Sequence, residues 1–326
     1  MNPKVSIIMP VFNAENTLRK SIDSIRNQTF RNYEVIIIDD GSIDASGSIC
    51  DEYALLDNRI KVKHKKNEGV SAARQDGIVL AKGEYSIHVD PDDWIEPNML
   101  EELLQVAVNN DADMVICDFY ENIGNKQRYH QQKPSSLSNG VVLKEMFQQL
   151  HGSCCNKLIR SICYNEFNIA FPKGVYYCED LYVVASLLLN PIKIAYCNKA
   201  YYHYVQYNEK ATLVRYYDAE TYNHDMMLKK TFIKLLQDSP TISEKDIAEH
   251  FDCLIVYRAF ENGFNYYSSR LFKERFKSLL PIVKRNFHGK DKLFLSISMR
   301  GGYRMARTLK MLLQHIKGAV RLIVNV

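Results

Sequence analysis

The chain of 326 residues holds eight cysteines but no Cys-x-x-Cys pair, and no histidine stands near them at zinc-ligand spacing. A zinc ribbon and a thiol–disulfide centre are therefore excluded. Several cysteines lie within apolar runs, such as Val115-Ile116-Cys117 and Ala195-Tyr196-Cys197. They read as buried free thiols, which fits a reducing cytosol. No stretch of 18 apolar residues occurs, so no segment is expected to span a bilayer. The N-terminus lacks a signal-peptide pattern, because its apolar run from Val5 to Phe12 contains Ser6 and Pro10 and passes directly into polar residues. The expected location is cytoplasmic. No internal repeat is visible.

What is present is ordinary for a folded protein: 46% apolar and 25% charged residues, enough for a sizeable core. The length predicts one large catalytic unit plus an addition, or two domains. Tyrosine outnumbers phenylalanine, 21 to 14. Tyrosine suits sugar-binding clefts, although half-buried packing is the plainer account for most of these. The net charge of +4 conceals an asymmetry. Residues 270–326 carry 14 Lys and Arg against two acidic residues, whereas the remainder carries 28 basic and 36 acidic ones.

The first 120 residues alternate strand and helix patterns. Strand runs fall at 5–11, 34–38, 59–64, 85–89 and 113–119, with helical spacing at 16–28, from about Asp44, at 70–81 and from about Asn98. Such alternation predicts an α/β fold with a mostly parallel sheet flanked by helices. Ligands of these sheets lie beyond the carboxyl ends of the strands. Polar clusters stand at three such ends: Phe12-Asn13, Asp39-Asp40 and Asp90 to Asp93. Residues 121–140 read as a polar surface loop, and 141–205 mix helix and strand signals. Helices are predicted over 219–237, 243–262 and 270–286.

Asp90, Asp92 and Asp93 repel one another unless a cation or other compensation is present. Hard cations such as Mg²⁺ or Mn²⁺ take oxygen ligands and bridge to phosphates. A solvated turn with capping carboxylates is the plainer alternative. Asp39-Asp40-Gly41-Ser42 carries the same two readings, with a uracil or ribose as the ligand. The motifs in order are Val5 to Asn13, Gln28-Thr29-Phe30, Ile38 to Ser42, Asn67 to Arg74, Gly83-Glu84-Tyr85, Asp90-Pro91-Asp92-Asp93-Trp94 and Glu179-Asp180. Together they resemble glycosyltransferase family 2, the inverting enzymes of GT-A fold, along most of residues 3–205.

The resemblance implies a GT-A catalytic domain over 1–215, with a nucleotide-binding half (1–120) and an acceptor half (121–215), followed by a helical region over 216–326. It implies an inverting, metal-assisted transfer from a UDP-sugar to a saccharide or lipid-linked saccharide in bacterial surface-polysaccharide synthesis. Pro10, Val11, Phe12 and Asn13 would line the nucleotide pocket. Asp40, with Asp39 beside it, would hold the uracil. Arg74 looks like the family's basic residue near the base and phosphates, although alone it reads as a helix-surface arginine. Asp90 would face the ribose, Asp92 would bind Mn²⁺ or Mg²⁺, and Asp93 would assist. Asp180, paired with Glu179, would be the general base, its pKa raised by the aromatic residues around it. A helix N-terminal acidic pair is the plainer account. Lys157 reads as structural or acceptor-side, and His203 as a packed histidine rather than a diphosphate contact. Phe12 stands where Tyr is frequent, and Pro91 occupies the middle of the D-x-D.

Two other functions compete. A sugar nucleotidyltransferase usually has a Gly-rich phosphate loop after its first strand, where this chain has Pro10 to Asn13. A non-catalytic nucleotide-sugar binder has no need of Asp180. In residues 303–324, Leu309, Leu312, Leu313, Ile316, Ala319, Val320 and Ile323 fall on one side of a helix. Arg304, Arg307, Lys310, Lys317 and Arg321 fall on the other. Binding to an anionic membrane surface and docking with the basic face in water both fit. The family context favours peripheral attachment at the inner membrane face. Nucleic acid is not expected, because no aromatics interleave with the charges.

Overall fold

The computed structural model describes residues 2–206 and 217–324, with side chains of the last helix described as far as Leu313. The chain divides into two compact units, residues 1–207 with 239–241, and residues 208–238 with 242–326.

The first unit grows from two apolar runs. β1 (Val5–Val11) and β2 (Tyr33–Asp39) are buried at every position, as strands covered on both faces must be. With β3 (Ile60–His64) and β4 (Tyr85–His88) they form a parallel block in the order β3-β2-β1-β4. The crossovers are α1 (Leu18–Arg26), α2 (Ser46–Leu56) and α3 (Val70–Leu80). α1 buries Leu18, Ser21, Ile22 and Ile25, one stripe at helical spacing.

Beyond β4 the sheet is mixed. β8 (Lys157–Arg160) runs antiparallel between β4 and β6 (Met114–Ile123), β9 (Ile194–Val205) lies parallel to β6, and the short β5 (Trp94–Ile95) pairs antiparallel with β9. α4 (Met99–Asn109), α5 (Asn139–Met146), α6 (Ile162–Glu166) and α7 (Glu179–Leu188) complete the unit. The expected loop over 121–140 is in part a hairpin. β6 continues to Ile123, turns at Gly124 (φ 56°) and returns as β7 (Lys126–His130). Four of the five β7 residues are exposed, so no apolar alternation marks this strand. Its pairing comes from the β6 backbone.

The second unit is helical. α8 (Ala219–Leu236), α9 (Glu244–Asn262) and α10 (Ser269–Phe276) are capped by Asp218, Ser243 and Ser268. The helix predicted over 270–286 is interrupted, because Pro281 opens the separate α11 (Leu280–Asn286) and donates no backbone hydrogen bond. α12 (Gly289–Ile297) follows, and Gly301 (φ 108°) turns the chain into α13 (Tyr303–Val324). Phe260, Tyr267, Phe272 and Tyr303 form the aromatic core, with Phe272 and Tyr303 stacked at 4.4 Å.

α13 departs from both readings of its two faces. Arg307 is buried and donates to the Glu261 carbonyl at 2.7 Å, while Lys310 pairs with Glu261 and, at 3.1 Å, with Asp291. Leu309 and Leu312 are 44% and 55% exposed. Arg307 and Lys310 are thus consumed in docking while Arg304 stays exposed, and Leu309 and Leu312 stay outside while Leu313 packs on the aromatic core. Paired acids on α9 and α12 are invisible to a wheel drawn for one helix. Ile316, Ala319, Val320, Ile323, Lys317 and Arg321 lie outside the described side chains. Among the described residues, no helix is long and apolar enough to cross a membrane.

Candidate active site

The ends of β1, β2 and β4 place the predicted carboxylates. Asp39 closes β2, accepting from the Ser42 N–H at 3.0 Å and pairing with His64 Nδ1 at 2.8 Å. Asp40 is buried, and its two oxygens accept the Glu68 and Gly69 N–H groups at 3.0 and 2.8 Å. Both acids thus hold loops at the strand ends. Pro10 and Val11 are interior to β1, and the Val11 carbonyl accepts the Asp40 N–H. Phe12 is exposed, and Asn13 (φ 49°) accepts the Ile43 N–H through its side chain.

Arg74 is the organising cation. It is 4% exposed, not the helix-surface arginine its position alone predicts. Its Nη2 donates to Asp90 Oδ1 at 2.9 Å, while Nε lies 3.5 Å from Glu179 Oε1 and 3.4 Å from Asp180 Oδ1. Asp90, Glu179 and Asp180 therefore converge on one guanidinium, although 90 residues separate the acids in sequence.

Asp180 sits in the first turn of α7, behind the left-handed Cys178 (φ 59°). Its Oδ2 accepts from the Cys154 N–H at 3.0 Å and the Ser153 hydroxyl at 3.2 Å; its buried Oδ1 has no hydrogen-bond partner. The pair splits in charge, against the expectation of a raised Asp180. Burial pushes the Asp180 carboxyl up, but Arg74 and the two donors outweigh it and hold it below the usual carboxylate range. Glu179 carries the rise instead, pushed up to about 7 by burial and then by the Asp180 charge. Both acids lie almost equally far from Arg74 Nε, so the Cys154 and Ser153 donors, which reach Asp180 alone, distinguish the one held down from the one pushed up.

The acids after β4 also separate. Asp93 is buried, bonded to the Tyr202 hydroxyl and accepting the Val205 N–H at 2.8 Å. Asp92 is half-buried and pushed up to about 6 by burial and then by Asp90. A carboxylate under that pressure is one a cation would stabilise. Among the described residues no three His, Cys, Asp or Glu side chains are grouped to hold a metal. Asp92 would be the single carboxylate that this chain offers such an ion.

Two further residues steady this centre: Cys155, which sequence reasoning missed, and Lys157, which it read as structural or acceptor-side. Cys155 Sγ lies 3.6 Å from Asp90 Oδ2. Lys157, fully buried, donates at 2.7 Å to the carbonyls of His151 and Ser153 and to Asn156 Oδ1, and so staples the loop that binds Asp180. The only sequence signal was a lysine inside an apolar strand. His203 stacks on Trp94 at 3.4 Å and bonds to Glu96, a packed histidine.

The family model for glycosyl transferase family 2 matches residues 6–180, from β1 to Asp180. The chain belongs to glycosyltransferase family 2. The Bacillus subtilis protein EpsH, named as a glycosyltransferase, is 33% identical over 253 residues, which are 74% of this chain and 72% of EpsH. The transferase resembles in fold Staphylococcus aureus TarS 1–349, solved in complex with UDP-GlcNAc, with a TM-score of 0.62 and 19% identity. The likeness covers 96% of this chain and 92% of that one. It also resembles the mannosyltransferase PcManGT of Pyrobaculum calidifontis, solved with GDP-Man and Mn²⁺, with a TM-score of 0.55 and 14% identity over 96% and 88% of the two chains. The α/β transferase fold is thus of the GT-A kind.

Proposed function

We propose that this transferase moves a sugar, with inversion, from a UDP-sugar to a hydroxyl of a saccharide or lipid-linked saccharide, with Asp180 as the base. One observation carries the reading. Asp180 is held ionised, anchored through Oδ2, with a buried Oδ1 that accepts no hydrogen bond and lies 3.4 Å from Arg74 Nε, and is joined through Arg74 to the Asp90 side of the site. Asp180 Oδ1 takes the acceptor hydroxyl proton. The acceptor oxygen bonds to the anomeric carbon, and the bond to the diphosphate breaks with its electrons leaving on the nucleotide. Asp90 faces the ribose. Asp39 and Asp40 shape the loops around the base, and Phe12 and Asn13 border it. Asp92 would hold Mn²⁺ or Mg²⁺, which when bound neutralises charge on the leaving diphosphate. TarS with UDP-GlcNAc and PcManGT with Mn²⁺ support this assignment of donor and metal.

The test is a panel of UDP- and GDP-sugars with Mn²⁺. One donor should be hydrolysed slowly, and UDP should raise the melting temperature in an EDTA-sensitive way that Asp92→Ala removes. Unchanged UDP stabilisation in that variant counts against the site. The exposed apolar face of α13 supports peripheral attachment to the inner face of the cytoplasmic membrane.

A further inference from the structure

We infer that the groove walled by the β6–β7 hairpin is the acceptor subsite, and that it seats an uncharged sugar ring rather than a phosphate-bearing unit. The inference rests on the transferase reading above. Its volume is about 290 Å³, at the small end of ligand pockets. Phe119, His151 and Tyr204 line it and also line the cavity beside Asp90, Ser153 and Cys155. The groove therefore adjoins the cavity beside Asp90, whose Ser153 also holds Asp180.

Strand alternation builds its wall. Phe119 and Glu121 point to one side of β6, two residues apart. The β7 partner of Phe119 is His130, and the two rings stack at 4.9 Å with planes 4° apart. His130 Nε2 lies 3.0 Å from Glu121 Oε2. The one carboxylate in the lining is thus already paired. The opposite rim is Gln148 and Gln149, both exposed, just past α5. Primary amides both donate and accept, which is what sugar hydroxyls require, and the flat ring pair offers an apolar face for the C–H side of a pyranose. Among the described residues no Lys or Arg lines the groove. A phosphate placed here would meet the Glu121 carboxylate and would find no permanent counter-charge in the lining. An uncharged ring meets neither penalty.

The experiment uses the full chain, with Gln148→Ala/Gln149→Ala as the variant, since both side chains are exposed and outside the catalytic centre. Probes are neutral methyl hexosides and methyl N-acetylhexosaminides, and glycerol-phosphate oligomers. Binding is read by saturation-transfer NMR, and donor hydrolysis is read separately. At least one neutral glycoside should bind the wild type, and the variant should bind it about tenfold more weakly while hydrolysing donor within about twofold of wild type. Preferential binding of the phosphate oligomer, or equal glycoside affinity in the variant, overturns the subsite. If glycosides bind as expected but no donor is cleaved, the subsite stands and the transferase assignment for this centre falls. If donors are cleaved but no neutral glycoside binds, the subsite falls alone.

Discussion

Asp180 and Glu179 are adjacent in sequence and opposite in charge behaviour, and both depend on where Arg74 sits. Asp180→Asn keeps the shape and the contacts of Oδ2 but removes the proton acceptor. Transfer should fall by about 10²–10⁴ while UDP affinity holds within a few-fold, as measured by product formation and calorimetry. Transfer that survives the change removes Asp180 from the role of base. Glu179 makes the complementary prediction for stability. Its folded pKa of about 7 exceeds the ordinary glutamate value of 4.5, so between those values the native state binds more protons than the unfolded chain. Stability contributed by this group is present below about pH 4.5 and is lost as pH rises through 7. Glu179→Gln escapes that loss. Its melting temperature should gain on wild type between pH 5 and 8 by an amount worth ~2 kcal/mol. A gap that stays constant with pH would show that Glu179 does not titrate in this window.

At the scale of elements, the loop from His151 to Asn156 matters more than its lack of regular structure implies. β8 carries Lys157 into the interior, and the ammonium there binds three oxygens of the loop. Burial pushes its pKa down to about 8, so it retains a proton at neutral pH. Lys157→Met would take the shared donor from three acceptors, the Asn156 one buried, and cost ~3 kcal/mol, seen in denaturant unfolding. It should also release Ser153 and Cys154 from Asp180. At temperatures where the variant is folded, kcat should therefore fall more than donor affinity. Loss of stability with kcat intact would separate the staple from the base.

At the scale of the molecule, an α/β unit and a helical unit answer different demands. The first builds a centre at strand ends. The second uses some of its cations internally: Arg258 pairs with Asp225, and Arg307 and Lys310 pair with Glu261. In the proposed membrane attachment, the exposed Leu309 and Leu312 of α13 would enter the lipid surface beside exposed cations such as Arg304. Leu309→Glu with Leu312→Glu alters no buried residue of that unit. It should reduce partitioning onto anionic liposomes by about tenfold, assayed by sedimentation at constant lipid. Unchanged partitioning would remove α13 from that task.

The sequence alone determined the parallel block and its strand-end acids, because doubly covered strands must be apolar throughout and helical crossovers must carry a stripe. It determined the family too, through motifs whose order and spacing survive in the chain. Tertiary structure decided what those motifs do to one another. The burial of Arg74 among three acids, the inversion of charge within Glu179-Asp180, the turning of Asp93 toward β9, and the amide rim beside Phe119 all depend on contacts between segments far apart in sequence. The polar β7 and the docked cations of α13 were hidden for the same reason. Their partners lie on other elements, and periodicity within a segment records only the face it turns to the core.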